Sequence, residues 1–133
     1  MFFSVKTGEV KEVSRLENVI SGDFLEGCFI SCIVYDDGRA IMGHYGPHKD
    51  FGKVHLNVIR TLHYGKVEKA VLYCLSENDF TDMHITLEKY QKNVGWFKEE
   101  LEDILNIEVK IKKYFQGKIV QIDYNRRIGL FIP

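Results

Sequence analysis

The sequence predicts an α+β fold, with a β-sandwich or a curled mixed sheet and two main helices packed outside it. Short segments rich in β-branched and aromatic residues, bounded by turn residues, lie before, between and after two longer segments with helical spacing of apolar residues. The resulting order is strands, a hairpin, a helix, a strand, a helix and three strands, which is typical of α+β folds. A chain of 133 residues fits one domain with its own core, covering residues 1–133.

The first part of the chain predicts two short strands and a connection. Phe2–Val5 and Glu9–Val13 flank the turn-forming sequence Lys6-Thr7-Gly8, and this arrangement predicts a hairpin-like start. Residues 14–23 are polar and mixed in character. They are therefore expected to connect this start to the next strand.

A central hairpin is predicted to follow. Phe29–Tyr35 is apolar on both of its faces, as in a strand that is buried on both sides. Asp37-Gly38 provides the residues of a tight turn. Gly46-Pro47 is expected to end the second strand, because proline lacks the N–H donor that a central strand needs.

The length of the hairpin loop decides which face carries His44. A two-residue loop would place His44 across from Ser31, on the face opposite to Cys28, because strand residues alternate between faces. A three-residue loop over residues 36–38, with its final glycine left-handed, would place His44 across from Ile30 and on the Cys28 face. We predict the three-residue loop, or else a break in alternation at the glycine–cysteine pair that precedes the strand.

A first helix is predicted over residues 50–62, with Asp50 as its cap and Gly65 as its stop. Val67–Leu75 is expected to form a second buried strand, and the polar residues 76–82 are expected to border a pocket. The first helix is expected to bury one side, which carries an apolar stripe made of Phe51, Val54, Val58 and Leu62 together with His55.

A second helix and three strands are predicted for the rest of the chain. Alternation of apolar and charged residues predicts a one-faced strand over residues 107–111. Residues 118–123 and 127–132 are expected to form a final hairpin around Tyr124-Asn125-Arg126. The helix is predicted from the spacing of Leu87, Tyr90, Val94, Phe97, Leu101, Ile104 and Leu105.

Composition argues against nucleic acid and membrane as partners. The formal net charge of −1 provides no overall electrostatic attraction for either. No segment approaches the roughly 20 apolar residues that span a bilayer, and the first residues do not have the order of a cleaved signal. The expected compartment is the cytoplasm.

Three cysteines, an odd number, argue against a disulfide framework. Cys28 and Cys32 would have Cα atoms about 13 Å apart at roughly 3.3 Å per strand residue, which is too far for a bridge. Cys32 and Cys74 are interpreted as small core residues. Cys28 stands at the mouth of a strand whose partner strand ends with His44, so these two residues form a candidate thiol–base pair.

A metal site is the rival interpretation of the same region. His44, His48 and His55 could converge with Cys28. However, a Gly-Pro pair separates the first two histidines, so they do not share a helix, and the sequence has no paired cysteine motif. We therefore expect no metal and no other cofactor.

The hairpin resembles that of the chemoreceptor glutamine deamidases, the CheD family. In that family a glycine or serine precedes a cysteine, an apolar strand ends in Tyr-Asp, and a second strand ends in a histidine before a proline. The matching residues here are Gly27-Cys28, Phe29 to Asp36, Gly43-His44 and Pro47. Leu25-Glu26-Gly27-Cys28 is also similar to the Leu-x-Gly-Cys signature of glutamine-deamidating bacterial toxins of the same fold, such as the cytotoxic necrotizing factors. The resemblance covers most of the chain as a single CheD-like domain, and its specific part is the cysteine–histidine region.

The resemblance implies a protein-glutamine glutaminase. Cys28, as a thiolate paired with His44, would attack the side-chain amide of a glutamine in a protein substrate, and His44 would later protonate the departing ammonia. Backbone N–H groups of Gly27 and Cys28 would hold the oxyanion, and water would hydrolyse the thioester. The implied partner is a protein that presents a glutamine side chain, with a regulatory protein as a further candidate. The protein would act in the cytoplasm or, like the toxins, after delivery to a host cell.

One position departs from the family pattern. The family usually has a threonine six residues before the cysteine, where it helps to hold the histidine, and Gly22 stands there in this chain. Ser21 is the candidate for this third role if the loop shifts by one residue, and Asp23 is a second candidate. The departure leaves a CheD-like interaction module without catalysis as the alternative function. Transglutamination and cysteine-dependent hydrolysis, which use the same two groups, also stay open.

Overall fold

Two mixed sheets, which do not close into a barrel, and two long helices form the part of the chain that the structure describes. The structure is a computed structural model that describes residues 2–14, 17–21, 27–81 and 85–131. The predicted α+β class, with β-layers and two main helices, is confirmed. The strands are β1 Phe2–Val5, β2 Glu9–Val13, β3 Asn18–Ser21, β4 Phe29–Tyr35, β5 Ala40–Tyr45, β6 Val67–Leu75, β7 Lys110–Tyr114, β8 Ile119–Ile122 and β9 Ile128–Phe131. The helices are α1 Lys49–Leu62 and α2 Leu87–Leu105, and a short 3₁₀ turn spans Glu77–Asp79.

The predicted central hairpin is the middle of a five-stranded sheet with the order β2-β5-β4-β6-β7. Every residue of β4 and of β5 is buried, as expected for strands covered on both faces. On one face, Phe29 packs against Tyr90 and Phe97 of α2. On the other face, His44 contacts the backbone of Val5 in a four-stranded sheet with the order β1-β3-β8-β9.

The hairpin has the predicted three-residue loop. The Tyr35 N–H donates to the carbonyl of Arg39, which leaves residues 36–38 as the loop, and Gly38 has φ +90°. As a result His44 lies directly across from Ile30. Because side chains alternate between the two faces of a strand, this register assigns His44 to the face on which Cys28 is expected.

The prediction that the first two strands form a hairpin is wrong. β1 pairs in parallel with β3, whereas β2 pairs with β5 in the other sheet, so the two strands separate into different layers. The expected connection over residues 14–23 also contains β3. This strand has only four residues, and one of its two buried side chains is the polar Ser21, so its composition did not indicate a strand.

Helix α1 occupies the predicted region but buries a different face. Its N-cap residue is His48, not Asp50, and Asp50 lies in the first turn. The expected stripe is confirmed only for His55, which is buried, and for Leu62, which packs partly against the core. Phe51 and Val54 are exposed, at 56% and 62% of full exposure, and Val58 is exposed as well. The reason is Gly52, where an added Cβ would lie 1.6 Å from the ring of Phe97. The missing side chain lets α1 approach α2 closely on that side, so Gly52, Leu56 and Ile59 are buried together with His55.

Helix α2 has the expected core face, and the strand that follows it begins later than predicted. Tyr90, Phe97 and Leu101 are fully buried, which confirms the pattern. The helix ends at the left-handed Asn106, and residues 107–109 form a connection. The predicted strand is therefore present as β7, but it begins at Lys110 and not at residue 107, and only Tyr114 of its five residues is buried. The final hairpin, β8 with β9, is confirmed for its described residues. None of the helices described in the structure is long and apolar enough to cross a membrane.

Candidate active site

Four strands of the five-stranded sheet meet at the end where the cysteine lies. β4 is antiparallel to both β5 and β6, and β6 is parallel to β7, so β4 begins where the other three end. Gly27 and Cys28 directly precede β4 at this end. The polar segment after β6 also lies here, and Asp79, Phe80 and Thr81 line a cavity, as predicted for the residues that border a pocket.

The cavity has a volume of about 450 Å³ and lies beside Gly27. Its walls are mainly apolar, with Phe51, Phe80 and Tyr90 among them. Gln116 also lines the cavity, and its backbone N–H donates to the Asp79 carboxylate over 3.0 Å. This volume falls within the usual range of small-molecule sites, roughly 300–1,000 Å³. It can therefore hold an amide side chain together with neighbouring atoms of a larger substrate.

Cys28 differs from the other two cysteines in its exposure. Cys28 is partly exposed, whereas Cys32 and Cys74 are buried, as expected for core residues. Burial raises the pKa of the Cys32 and Cys74 thiols, which keeps both protonated. Of the three cysteines, Cys28 is therefore the one that is partly exposed to solvent.

Tyr114 binds the backbone at Cys28, a contact that the sequence did not predict. Its hydroxyl accepts a hydrogen bond from the Gly27 N–H over 2.8 Å and donates to the Cys28 carbonyl over 2.9 Å. Burial raises the pKa of Tyr114, and the electrostatic effects of the nearby Tyr90 and Cys28 side chains add to the increase. Because 86 residues separate Tyr114 from Cys28, no local pattern could have paired them.

Gly27 has a backbone conformation that favours glycine. Its φ is +118°, a region that residues with a Cβ rarely adopt. A Cβ added there would meet no heavy atom within 4 Å, so the backbone angle, not crowding within the chain, requires the glycine. Its N–H, one of the two predicted oxyanion donors, is bound to the Tyr114 hydroxyl in this conformation.

His44 is almost completely buried and is held at both ring nitrogens. Nδ1 lies 2.9 Å from the carbonyl oxygen of Val5. A carbonyl only accepts, so Nδ1 carries a proton, and the lone pair of the neutral ring is on Nε2. Nε2 lies 3.3 Å from the hydroxyl of Thr7. The Gly8 N–H also donates to the His44 carbonyl over 2.6 Å, so the connection between β1 and β2 packs along the histidine.

Sequence analysis did not predict Val5 and Thr7 as partners of His44. Thr7 was assigned only to a turn, and the role of Val5 depends on its backbone carbonyl, which no residue pattern reveals. The separation of β1 and β2 into two sheets is what brings this connection to the histidine.

Ser21, the predicted third group, lies next to these residues. It is fully buried in β3, directly in register with Val5 of β1. Its hydroxyl oxygen accepts a hydrogen bond from the Val120 N–H over 3.0 Å. Gly22 and Asp23, the other residues considered for this role, lie outside the described residues.

The histidines considered for a metal site do not gather at one point. The His55 ring stacks on Tyr45 on the helix side of the sheet, whereas His44 faces the four-stranded sheet. Nδ1 of His55 donates to the Phe51 carbonyl one turn earlier in α1. In the part of the chain that the structure describes, no group of three or more His, Cys, Asp or Glu residues could hold a metal ion.

A comparison of the chain with protein-family models finds no match, and a comparison with curated proteins finds none either.

Proposed function

We propose that this protein is a cysteine-dependent protein-glutamine deamidase, with Cys28 as the nucleophile and His44 as the general base. The observation that carries the proposal is the register of the central hairpin. With His44 across from Ile30, strand alternation assigns Cys28 and His44 to the same face of the sheet. The cavity supports the same function, because it lies at the same end of β4 and one of its walls is Gly27, the residue that precedes Cys28.

In the first half of the proposed reaction, the thiol proton moves to Nε2 of His44, and the Cys28 sulfur attacks the amide carbon of a glutamine side chain. The carbonyl oxygen of the amide takes the negative charge. The proposed donor to this oxyanion is the Cys28 N–H, and the Gly27 N–H can join it only after leaving the Tyr114 hydroxyl. The bond between carbon and nitrogen then breaks as Nε2 returns its proton to the nitrogen, and ammonia leaves.

In the second half, water replaces ammonia. His44 takes a proton from the water, the hydroxide attacks the thioester carbon, and the carbon–sulfur bond breaks. The proton returns to the sulfur and the product is a glutamate side chain. The reaction needs no cofactor, because the net change is the exchange of an amide nitrogen for a water oxygen.

Thr7 fits the role of holding the histidine, which the CheD family gives to a threonine six residues before the cysteine. A hydroxyl both donates and accepts, so Thr7 can donate to Nε2 of the neutral ring and accept from Nε2–H of the imidazolium. The Val5 carbonyl holds the other nitrogen in both protonation states. We therefore assign the third role to Val5 and Thr7, with Ser21 as the candidate that the next test separates from them.

The Thr7→Val variant is expected to lower kcat by about tenfold with little change in KM, since the hydroxyl acts on the histidine and not on the substrate. Thr7→Ser, which keeps the hydroxyl, is the matched control and should retain most of the activity. The pH dependence of kcat is expected to shift in Thr7→Val, because the imidazolium loses an acceptor. If Ser21→Ala produces these changes and Thr7→Val does not, the third role belongs to Ser21.

The function itself is tested by incubating the protein with a short peptide that contains one glutamine. Deamidation exchanges NH₂ for OH, so mass spectrometry should record the corresponding mass gain together with one ammonia for each glutamine converted. An added primary amine distinguishes transglutamination, which would attach the amine to the peptide. Conversion at the same slow rate with and without protein would contradict the proposal.

A second candidate function is a binding module that has lost catalysis. The observation that favours it is the hydrogen bond between the Gly27 N–H and Tyr114, which occupies one of the two predicted oxyanion donors. A wild-type protein that binds glutamine peptides but never releases ammonia would support this alternative.

A further inference from the structure

The exposed face of α1 carries an apolar stripe that the fold does not cover. We define the stripe as Phe51, Val54 and Val58, whose side chains are 56%, 62% and 38% exposed. The spacing of three and four residues places them on one side of the helix. A stripe of this kind ordinarily faces a protein core. Here the close contact at Gly52 turns a different face inward, so the stripe faces solvent.

The stripe begins at the candidate active site. Phe51 belongs to the stripe and also lines the cavity that Gly27, the residue before Cys28, borders. Phe51 therefore joins the cavity to the stripe, and Val54 and Val58 follow at spacings of three and four residues along the exposed side of the helix. The neighbouring exposed residues, Asn57 and Thr61, form a polar margin along one side of the stripe. An apolar strip with a polar margin is the usual organisation of a protein-binding surface.

We propose that the stripe on α1 is the docking surface for the protein substrate, and this inference rests on the proposed deamidase function. The substrate glutamine would enter the cavity, and apolar side chains a few residues away along the substrate would pack on Phe51, Val54 and Val58. The substrate class is thus a protein segment in which a reactive glutamine has apolar neighbours.

The size of the stripe favours a substrate over a second copy of this chain. From Phe51 to Val58 the helix rises only about 10 Å, at roughly 1.5 Å per residue. Stable protein dimers usually bury about 1,200–2,000 Å² in total, far more than three side chains of one helix provide. A small apolar contact suits an enzyme that must release its product. An extended substrate segment would cover the stripe with about three residues, at roughly 3.3 Å each.

The test compares two fluorescently labelled peptides that share a central glutamine flanked by glycines. One carries leucines three to five residues from the glutamine on both sides, and the other carries serines at these positions. Binding is measured by fluorescence polarisation with the Cys28→Ser variant, so that no turnover occurs. The leucine peptide is expected to bind about tenfold more tightly than the serine peptide. The Val54→Glu/Val58→Glu double variant should abolish this difference.

Two control variants separate lost apolar contacts from altered charge or folding. Lys53→Gln/Arg60→Gln lowers the net charge of α1 by the same two units, at exposed positions on the side of the helix away from the stripe, and should keep the preference for leucine. Val54→Lys/Val58→Lys carries the opposite charge and should lose the preference as the glutamate variant does. Circular dichroism verifies that each variant is folded.

The outcomes distinguish the docking surface from the chemistry. Equal binding of the two peptides, or a preference that survives both double substitutions of the stripe, overturns the docking surface. A wild-type dimer that Val54→Glu/Val58→Glu converts to a monomer overturns it in favour of a second copy. If the leucine preference behaves as expected but no peptide is deamidated, the docking surface stands and the deamidase proposal fails.

Discussion

Replacing Cys28 with serine is expected to lower the rate of glutamine deamidation by at least about a thousandfold. A serine hydroxyl is a much weaker acid than a thiol, so the imidazole of His44 would no longer generate a nucleophile. Deamidation is measured by mass spectrometry and ammonia release, as for the wild type. The matched control is Cys32→Ala, which removes a fully buried thiol from β4, the strand that follows Cys28, and should leave the activity of the folded protein nearly unchanged. Equal activity of Cys28→Ser and the wild type would contradict the assignment of the nucleophile.

The pairing of Cys28 with His44 can also be tested without a substrate, through alkylation of the Cys28 thiol. Iodoacetamide is expected to label Cys28 faster than Cys32 or Cys74 at a pH of about 6.5, but exposure alone would produce part of this difference. The sharper comparison is His44→Gln, which should slow labelling of Cys28 by about tenfold, since the thiolate loses its partner. His48→Gln, which changes a histidine that lines the cavity, is the control and should have little effect. Similar rates in both variants would show that His44 does not activate the thiol.

Substituting alanine for Gly52 is expected to destabilise the protein by about 2–3 kcal/mol, as for an overpacked core. The usual effect of this change in a helix interior is a gain of roughly 1 kcal/mol, because glycine is a poor helix former. Here the new methyl group would lie 1.6 Å from the Phe97 ring. That ring cannot move away easily, since it is fully buried between Phe29 and Tyr45, with ring centroids 5.1 and 5.0 Å away. Denaturant unfolding, followed by circular dichroism, measures the free-energy change.

Gly95 is the matched control for Gly52. It lies within α2, and a Cβ added there would meet no heavy atom within 4 Å. Gly95→Ala is therefore expected to stabilise the protein by about 0.5–1 kcal/mol. A stabilising effect at both positions would contradict the close approach of the two helices at Gly52. In that case the exposure of the apolar stripe on α1 would also lose its explanation.

The central hairpin was predictable because its determinants are local. A loop that ends with Gly38, an apolar run in Phe29–Tyr35 and the Gly46-Pro47 stop lie within 20 residues of one another. Alternation with a period of two then decides the face of every side chain once the loop length is chosen. The possible pairing of Cys28 with His44 follows from this short segment alone.

The partners that hold the candidate site were not predictable in the same way. Thr7 and the Val5 carbonyl meet His44 because the chain crosses between the two sheets at that point. Tyr114 reaches the backbone of Gly27 and Cys28 from the far edge of the sheet. These contacts depend on the order of the strands, which residue patterns within a single strand do not specify.

Residue patterns were enough to predict the α+β class, the two helices, the hairpin register and the candidate thiol and base. Each of these depends on periodicity or turn chemistry over a few neighbouring residues. The buried face of α1, the groups that bind His44 and the surroundings of Cys28 became known from the folded chain alone. The physical reason is that such contacts arise between distant segments, where a single close approach such as that of Gly52 to Phe97 can override the apolar pattern of an entire helix.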